Sequence, residues 1–228
     1  MKKATNKMIL LTAAAAVFVT ANPALVPAAQ AAETATVYTT LYQGMTSDAV
    51  SQLQRDLKTL GYFVYPTITN YYGTVTAGAV RAFQTAYSLP VTGTADPVTR
   101  ERIAFALVRK AIVADSYQYL RVPYKWGGAT PEGFDCSGFV YFMFTKHGVP
   151  LTRTTSAAMF TMGTAVDKAK LVPGDLVFFS LGTPGVASHM GIYVGNGQFI
   201  SALSSVGIYV QNMNNTYWGP KYLGARRF

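Results

Sequence analysis

The pattern of the chain changes once, near residue 170, and that change limits the folds open to it. Before it, apolar residues recur at helical spacing. After it come short runs rich in β-branched and aromatic residues, 175–180, 188–195, 198–203 and 206–211, separated by Pro and Gly turns. Such runs read as strands. Helices first and an antiparallel sheet afterwards make an α+β fold. At 228 residues, 50% hydrophobic and 13% charged, the chain can build one or two packed cores.

The first 31 residues read as an export signal, with Lys2, Lys3 and Lys7 ahead of an apolar stretch from Met8 to Thr20. Ala29-Gln30-Ala31 supplies the small-x-small cleavage pattern, so the mature chain is expected to start at Ala32. The apolar stretch is short for a bilayer span, and no later segment is long and apolar enough for one. No membrane partner is therefore expected after cleavage. Residues 32–40 are small and polar and read as a leader.

Loss of residues 1–31 takes away three lysines and no acid, which leaves sixteen basic and ten acidic side chains, net +6. Residues 32–106 are neutral overall, so the whole excess lies in 107–228. Positive charge on an exported protein suits anionic extracellular polymers, and equally it can serve only to keep the protein soluble. Nucleic acid fits poorly with export, and no basic run or nucleic-acid motif is present.

Three helical patterns fill the first part. Thr46 or Ser47 is placed to cap a helix running to Leu60, with Val50, Leu53, Leu57 and Leu60 on one face and Gly61 as its stop. Thr76 is expected to cap a second, carrying Ala79, Val80, Phe83 and Tyr87. Asp96 caps a third, with Pro97 at its first position and Ile103 inward. That helix, about 97–107, runs almost directly into another helical pattern, 108–119. No Pro/Ser-rich linker intervenes, so the two parts are expected to dock in one orientation.

Three stretches carry a resemblance: Leu53-Gln54 through Gly61-Tyr62, Tyr72-Gly73 through Phe83-Gln84, and Leu89 to Gly93. Together they resemble the peptidoglycan-binding domain found at the ends of many bacterial wall hydrolases, over residues 41–106. The resemblance implies a non-catalytic three-helix module that holds wall glycan or peptide. Most of its apolar residues also read simply as core.

Cys136 is the only cysteine. An unpaired cysteine in an exported chain points to a thiol with a task or an intermolecular bridge. Cys136, Phe139, Val140, Met143 and Phe144 lie at helical spacing, Gly148 stops the pattern, and Asp135 is the cap. A cysteine in the first turn faces N–H groups and the helix dipole, which favour the thiolate. Asp135 opposes that effect, and a buried inert cysteine is the plain alternative.

Two histidines are available as a base. His147 lies eleven residues along the same helix, about 16 Å away by helical rise, and reads as a residue of the last helical turn. His189 opens a strand, a rigid support. A nucleophile at a helix start facing a histidine on a sheet is the layout of papain-like cysteine peptidases.

Four ordered segments sharpen this: Pro123 to Gly128, Phe134 to Val140, Pro173 to Phe179, and His189 to Gly197. They resemble the NlpC-type cell-wall cysteine peptidases over residues 108–228, as does the ending at Tyr217-Trp218 and Ala225-Arg226-Arg227. The resemblance implies a papain-like α+β domain with an antiparallel sheet. It implies cleavage of the γ-D-glutamyl bond to the diamino acid in peptidoglycan stem peptides, without metal or cofactor. By position Cys136 is the nucleophile and His189 the base. Tyr124 would position substrate or stabilise the oxyanion. Asp135 and Ser137 would hold the stem peptide's free amine. Tyr124 also reads as core packing and Asp135 as the helix cap.

Where the family usually places a third polar residue, often His, this chain has Ser201. Its relation to His189 depends on register. A two-residue turn at Asn196-Gly197 pairs 195 with 198 and puts His189 and Ser201 on opposite faces. A three-residue loop pairs 194 with 198 and puts them on one face. The resemblance favours the second.

Rival chemistries fit less well. Two histidines and one cysteine, with no H-E-x-x-H, argue against zinc. No G-x-S-x-G elbow marks a serine triad, and no C-x-x-C marks a redox site. Two other readings remain: a wall-binding scaffold with a degenerate peptidase domain, and a hydrolase of another γ-glutamyl polymer.

Overall fold

A computed structural model of the protein describes residues 38–228. The expected export signal and most of the leader lie outside the described residues. Among the described residues, no helix is long and apolar enough to cross a membrane.

Helix α1 (Asp48–Thr59) starts as its spacing predicts, with the Val50 amide donating to Ser47 Oγ. It buries Val50, Leu53 and Leu57. Gly61, at φ +87°, ends it, because the amides of Gly61 and Tyr62 return to the carbonyls of Lys58 and Leu57.

Helix α2 (Thr74–Ala86) has its N-cap at Gly73, three residues before the expected cap, with no side-chain cap bond. Thr76 is instead buried in the first turn and accepts a hydrogen bond from Gln54 Nε2 at 2.9 Å. The buried Gln54 amide needs partners more than the helix needs a cap. Gln54 also donates to the Tyr71 carbonyl and accepts from the Thr69 amide. Gln84 acts alike, accepting from the Thr92 and Gly93 amides and donating to Thr94 and Thr99. Each glutamine thus clamps a loop to the helix that carries it.

Helix α3 runs unbroken from Pro97 to Ser116, capped by Asp96 at 2.7 Å from the Thr99 amide, and a 3₁₀ turn follows at Tyr117–Tyr119. The two helical patterns expected at 97–107 and 108–119 are therefore one helix. Nothing between Val98 and Ser116 is Gly or Pro, so nothing ends it. Ile103 and Ala106 pack with α1 and α2, while Ile112 packs in the second core.

After the short pair β1 (Ala129–Thr130) and β2 (Gly133–Phe134) comes helix α4 (Cys136–Lys146), then α5 (Ser156–Phe160), absent from the sequence expectation. Strands β3 (Thr164–Val166), β4 (Leu176–Phe179), β5 (His189–Gly195), β6 (Gln198–Leu203), β7 (Gly207–Asn212) and β8 (Tyr222–Arg227) form one antiparallel sheet in the order β3-β8-β4-β5-β6-β7. β4 to β7 fall where the residues predict. β3 and β8 were not foreseen, because β3 is short and exposed and β8 lacks a dense β-branched run.

The central strand β4 is buried throughout. Leu176 and Phe178 face the core under α4, with Phe139, Val140 and Met143. Val177 and Phe179 face a second cluster with Phe199 and Trp218. Alternation along one strand thus supplies both cores.

The β5–β6 hairpin corrects the register argument. The turn is the two-residue one, with Gly195 opposite Gln198 and both Asn196 (φ +52°) and Gly197 (φ +69°) left-handed. A shift between Tyr193 and Gly195 then leaves Val194 as an extra residue, and Ile192 pairs with Ile200. This bulge moves the parity by one. His189 and Ser201 share a face, although the loop is not the three-residue one.

The two parts meet around a buried charge cluster. Arg227 on β8 holds both oxygens of Asp175 at 2.7 Å, and Asp175 is 0% exposed. Tyr87, at the end of α2, lies 4.9 Å from the Arg227 guanidinium and 5.5 Å from that of Arg109 on α3. Arg109 donates to the Phe228 carbonyl at 2.5 Å. Removing Asp175 strands buried positive charge, so Asp175→Ala is expected to cost about 3 kcal/mol of unfolding free energy. Urea unfolding measures this, and a loss below about 1 kcal/mol contradicts the assigned role of the pair.

Candidate active site

Each site residue owes its place to local geometry. The loop from Pro123 to Gly128 lies across the start of α4, where the Asp135 amide donates to the Gly128 carbonyl at 2.9 Å. A Cβ at position 138 would run into that carbonyl, and a Cβ at 128 would run into the Gly133 carbonyl. The glycines let main chain pack on main chain.

Asp135 caps α4 as expected, accepting from the Gly138 amide at 2.6 Å. Its carboxylate does more. Oδ1 also takes the Ser137 hydroxyl at 3.1 Å, and Oδ2 takes the Gly127 amide at 3.0 Å and Arg153 Nη2 at 2.6 Å. Arg153 Nη1 reaches Ser137 Oγ at 2.6 Å and the Thr154 carbonyl at 2.9 Å. Sequence reasoning missed Arg153, which sits in an aperiodic stretch eighteen residues from its partner. The available signal was a capping carboxylate beside the thiol with no assigned counter-charge.

Cys136 is half-buried in the first turn of α4. Its sulfur lies 3.4 Å from Ser156 Oγ. Burial pushes the thiol's pKa above its ordinary value and the Asp135 charge adds to this, while the Ser156 hydroxyl and the Met190 and Ser137 amides pull the other way. Desolvation outweighs the helix-mouth effect, so the resting group is a thiol.

His189 is 6% exposed at the start of β5. Its Nε2 lies 3.0 Å from Ser201 Oγ, and its ring stacks on Trp218 with centroids 5.1 Å apart. Gly191 makes the Ser201 contact possible, since a Cβ there would come within 2.9 Å of Ser201 Cβ and 2.7 Å of the Phe199 ring. Burial drives the imidazole's pKa down to about 4. The resting pair is therefore neutral thiol and neutral imidazole.

Tyr124 packs partly on the core, and burial together with the neighbouring Cys136 and Asp135 raises its pKa. Tyr124, Asp135, Cys136, Ser137, Arg153 and His189 all line one groove of about 870 Å³, joined by Trp126, which is 88% exposed. Ser201 stands behind His189, fully buried. Cys136 and His189 share the groove, with Ser156 and Ser201 as their hydrogen-bond partners. His147 takes no part in the groove. It ends α4 and pairs with Asp115 at 3.0 Å, beside Lys146.

Residues 121–227 match the NlpC/P60 family profile, and residues 46–103 match the family described as "Putative peptidoglycan binding domain". The chain is 43% identical over 117 residues to the "Probable peptidoglycan endopeptidase LytE" of Bacillus subtilis (strain 168), covering 51% of this chain and 34% of that one. It is 42% identical over 120 residues to the "Murein DD-endopeptidase MepS/Murein LD-carboxypeptidase" of Escherichia coli (strain K12), covering 52% of this chain and 62% of that one. In both cases the chain spans less than two thirds of the relative's length. Among solved structures it is similar to an NlpC/P60 family protein from Bacillus cereus ATCC 10987, with 32% identity and a TM-score of 0.50, covering 53% of this chain and 40% of that one.

The buried imidazole predicts a pH dependence of stability. Its folded pKa of about 4 lies below the ordinary 6.5. Between those values the unfolded chain binds the extra proton, so stability falls as pH drops through that window. From pH 7 to pH 5 this one group is expected to remove about 2 kcal/mol. Urea unfolding of wild type and His189→Gln at both pH values isolates the effect. Equal pH slopes in the two proteins contradict it.

Proposed function

We propose, for a chain whose residues 121–227 belong to the NlpC/P60 family, an exported peptidoglycan hydrolase that cuts the γ-D-glutamyl–diamino acid bond of stem peptides, with Cys136 as nucleophile and His189 as base. The observation that carries the reading is the shared groove: one thiol and one imidazole line it, and the imidazole is held from behind by Ser201. Residues 46–103 would keep the enzyme on the wall, and the positive charge of 107–228 suits its anionic polymers.

The chemistry is acyl transfer. With Nε2–H donated to Ser201, Nδ1 carries the lone pair that takes the Cys136 proton. The sulfur attacks the scissile carbonyl, and donors at Cys136 and Tyr124 meet the developing oxyanion. The C–N bond breaks as His189 returns the proton to the leaving amine. Water, deprotonated by His189, then splits the thioester and restores the thiol.

Arg153 adds to substrate choice. A γ-linked glutamyl residue keeps its α-carboxylate free, and Arg153 is a groove cation held in place by Asp135 and Ser137. The Asp135 carboxylate already accepts from four donors. A stem-peptide amine reaching it would compete with Arg153.

Mass spectrometry of wall digests with the mature protein tests the reading. The expected products carry a new amine on the diamino acid. Cys136→Ala is expected to abolish them, and His189→Ala to lower the rate at least about a thousandfold. Ser201→Ala should cost roughly tenfold, and His147→Ala should leave most activity. Cuts at D,D or L,D bonds instead, as the E. coli relative's name gives for that protein, would overturn the bond assignment and keep the cysteine mechanism. Wall binding without cleavage would favour a scaffold.

A further inference from the structure

The groove is lined by Ser156, whose hydroxyl the mechanism above does not use. Ser156 is the first residue of α5 and is 6% exposed. A buried hydroxyl needs a partner. The only one among the described residues is Cys136 Sγ, at 3.4 Å. The helix does not require this hydroxyl, because Thr155 Oγ1 already caps it through the Ala158 amide. Neither does the ion pair beside it, since Arg153 is bound to Asp135, Ser137 and Thr154. Met159, the other buried residue of α5, packs under α4 and fixes the turn that presents Ser156.

We propose that Ser156 is a positioning residue for the nucleophile, whose hydroxyl holds the Cys136 sulfur at the groove and donates to it as the thiolate forms. The proposal rests on the cysteine reading of the site and deepens it. A hydroxyl suits both protonation states. Towards the thiol it accepts or donates, and towards the thiolate it rotates to donate a charge-assisted bond, which is stronger. The contact therefore favours the state that appears when the proton leaves for His189. Its action agrees in direction with the Ser156 contribution to the thiol's acidity, which opposes burial.

Because the chain has a single cysteine, alkylation by iodoacetamide reports on Cys136 alone. Measured against pH on the folded mature chain, Ser156→Ala is expected to move the titration upward and slow alkylation at pH 7 by about tenfold. On stem-peptide substrate kcat should fall by a similar factor with KM unchanged. Ser156→Thr, which keeps the hydroxyl, should return both towards wild type. A purely structural role would shift the melting temperature and leave the titration alone. A wild-type alkylation profile in folded Ser156→Ala overturns the proposal. If that variant does not fold, the lone S–H stretch of wild type decides: a band at the unbonded-thiol position overturns the proposal, and a shifted band supports it. The two readings fail separately. A shifted titration with no wall cleavage by wild type sinks the hydrolase and keeps the Ser156 contact. Normal cleavage and normal titration in Ser156→Ala do the reverse.

Discussion

The candidate site hangs on one carboxylate. Asp135 gathers an amide from the preceding loop, an amide and a hydroxyl from the first turn of α4, and the guanidinium of a distant loop. Those four bonds fix the loop that carries Tyr124, the start of the helix that carries Cys136, and the segment that leads to Ser156. A carboxylate with all its acceptor positions filled and its charge balanced tolerates this degree of burial. The same charge works against the thiol next to it. Arg153 balances that charge, so the groove combines tight geometry with modest electrostatic cost to the Cys136 thiol.

A second constraint acts at longer range. Helix α3 contributes Ile103 and Ala106 to one core and Ile112 to the other. A continuous helix shared by two cores is a stiff connector. The cluster of Asp175, Arg227, Arg109 and Tyr87 ties the same two parts from the other side. Both ties fix the helical part relative to the domain that carries the groove.

Much of this was legible in the residues. The caps Ser47, Asp96 and Asp135 and the strands β4 to β7 follow from local chemistry and periodicity, and so does the exclusion of His147 from the site. What was not legible depends on partners far apart in sequence. Thr76 reads as a cap until Gln54 is known to face it. The hairpin shows the limit most clearly. Turn length alone gave two registers, and the fold combines the two-residue turn of one with the facing of the other through an extra residue at Val194. Bulges carry little sequence signal, and here one decides whether Ser201 can touch His189. Arg153 and Ser156 were missed for a related reason: α5 is a single short turn in a stretch with no period.

Burial places both reacting groups in their uncharged forms, since it raises the thiol's pKa and lowers the imidazole's. In the proposed reaction, transfer of the proton from sulfur to nitrogen is then uphill. Two things offset it. The ion pair, once formed, gains mutual attraction in a partly dry site, and each charge meets a fixed donor or acceptor: Ser156 and the amides of Met190 and Ser137 at the sulfur, Ser201 at the ring. A resting thiol also resists oxidation better than a thiolate, which matters for a chain expected to work outside the cell with one cysteine. In the proposed mechanism the hydroxyls around the pair thus set the balance between a sulfur that survives and one that reacts.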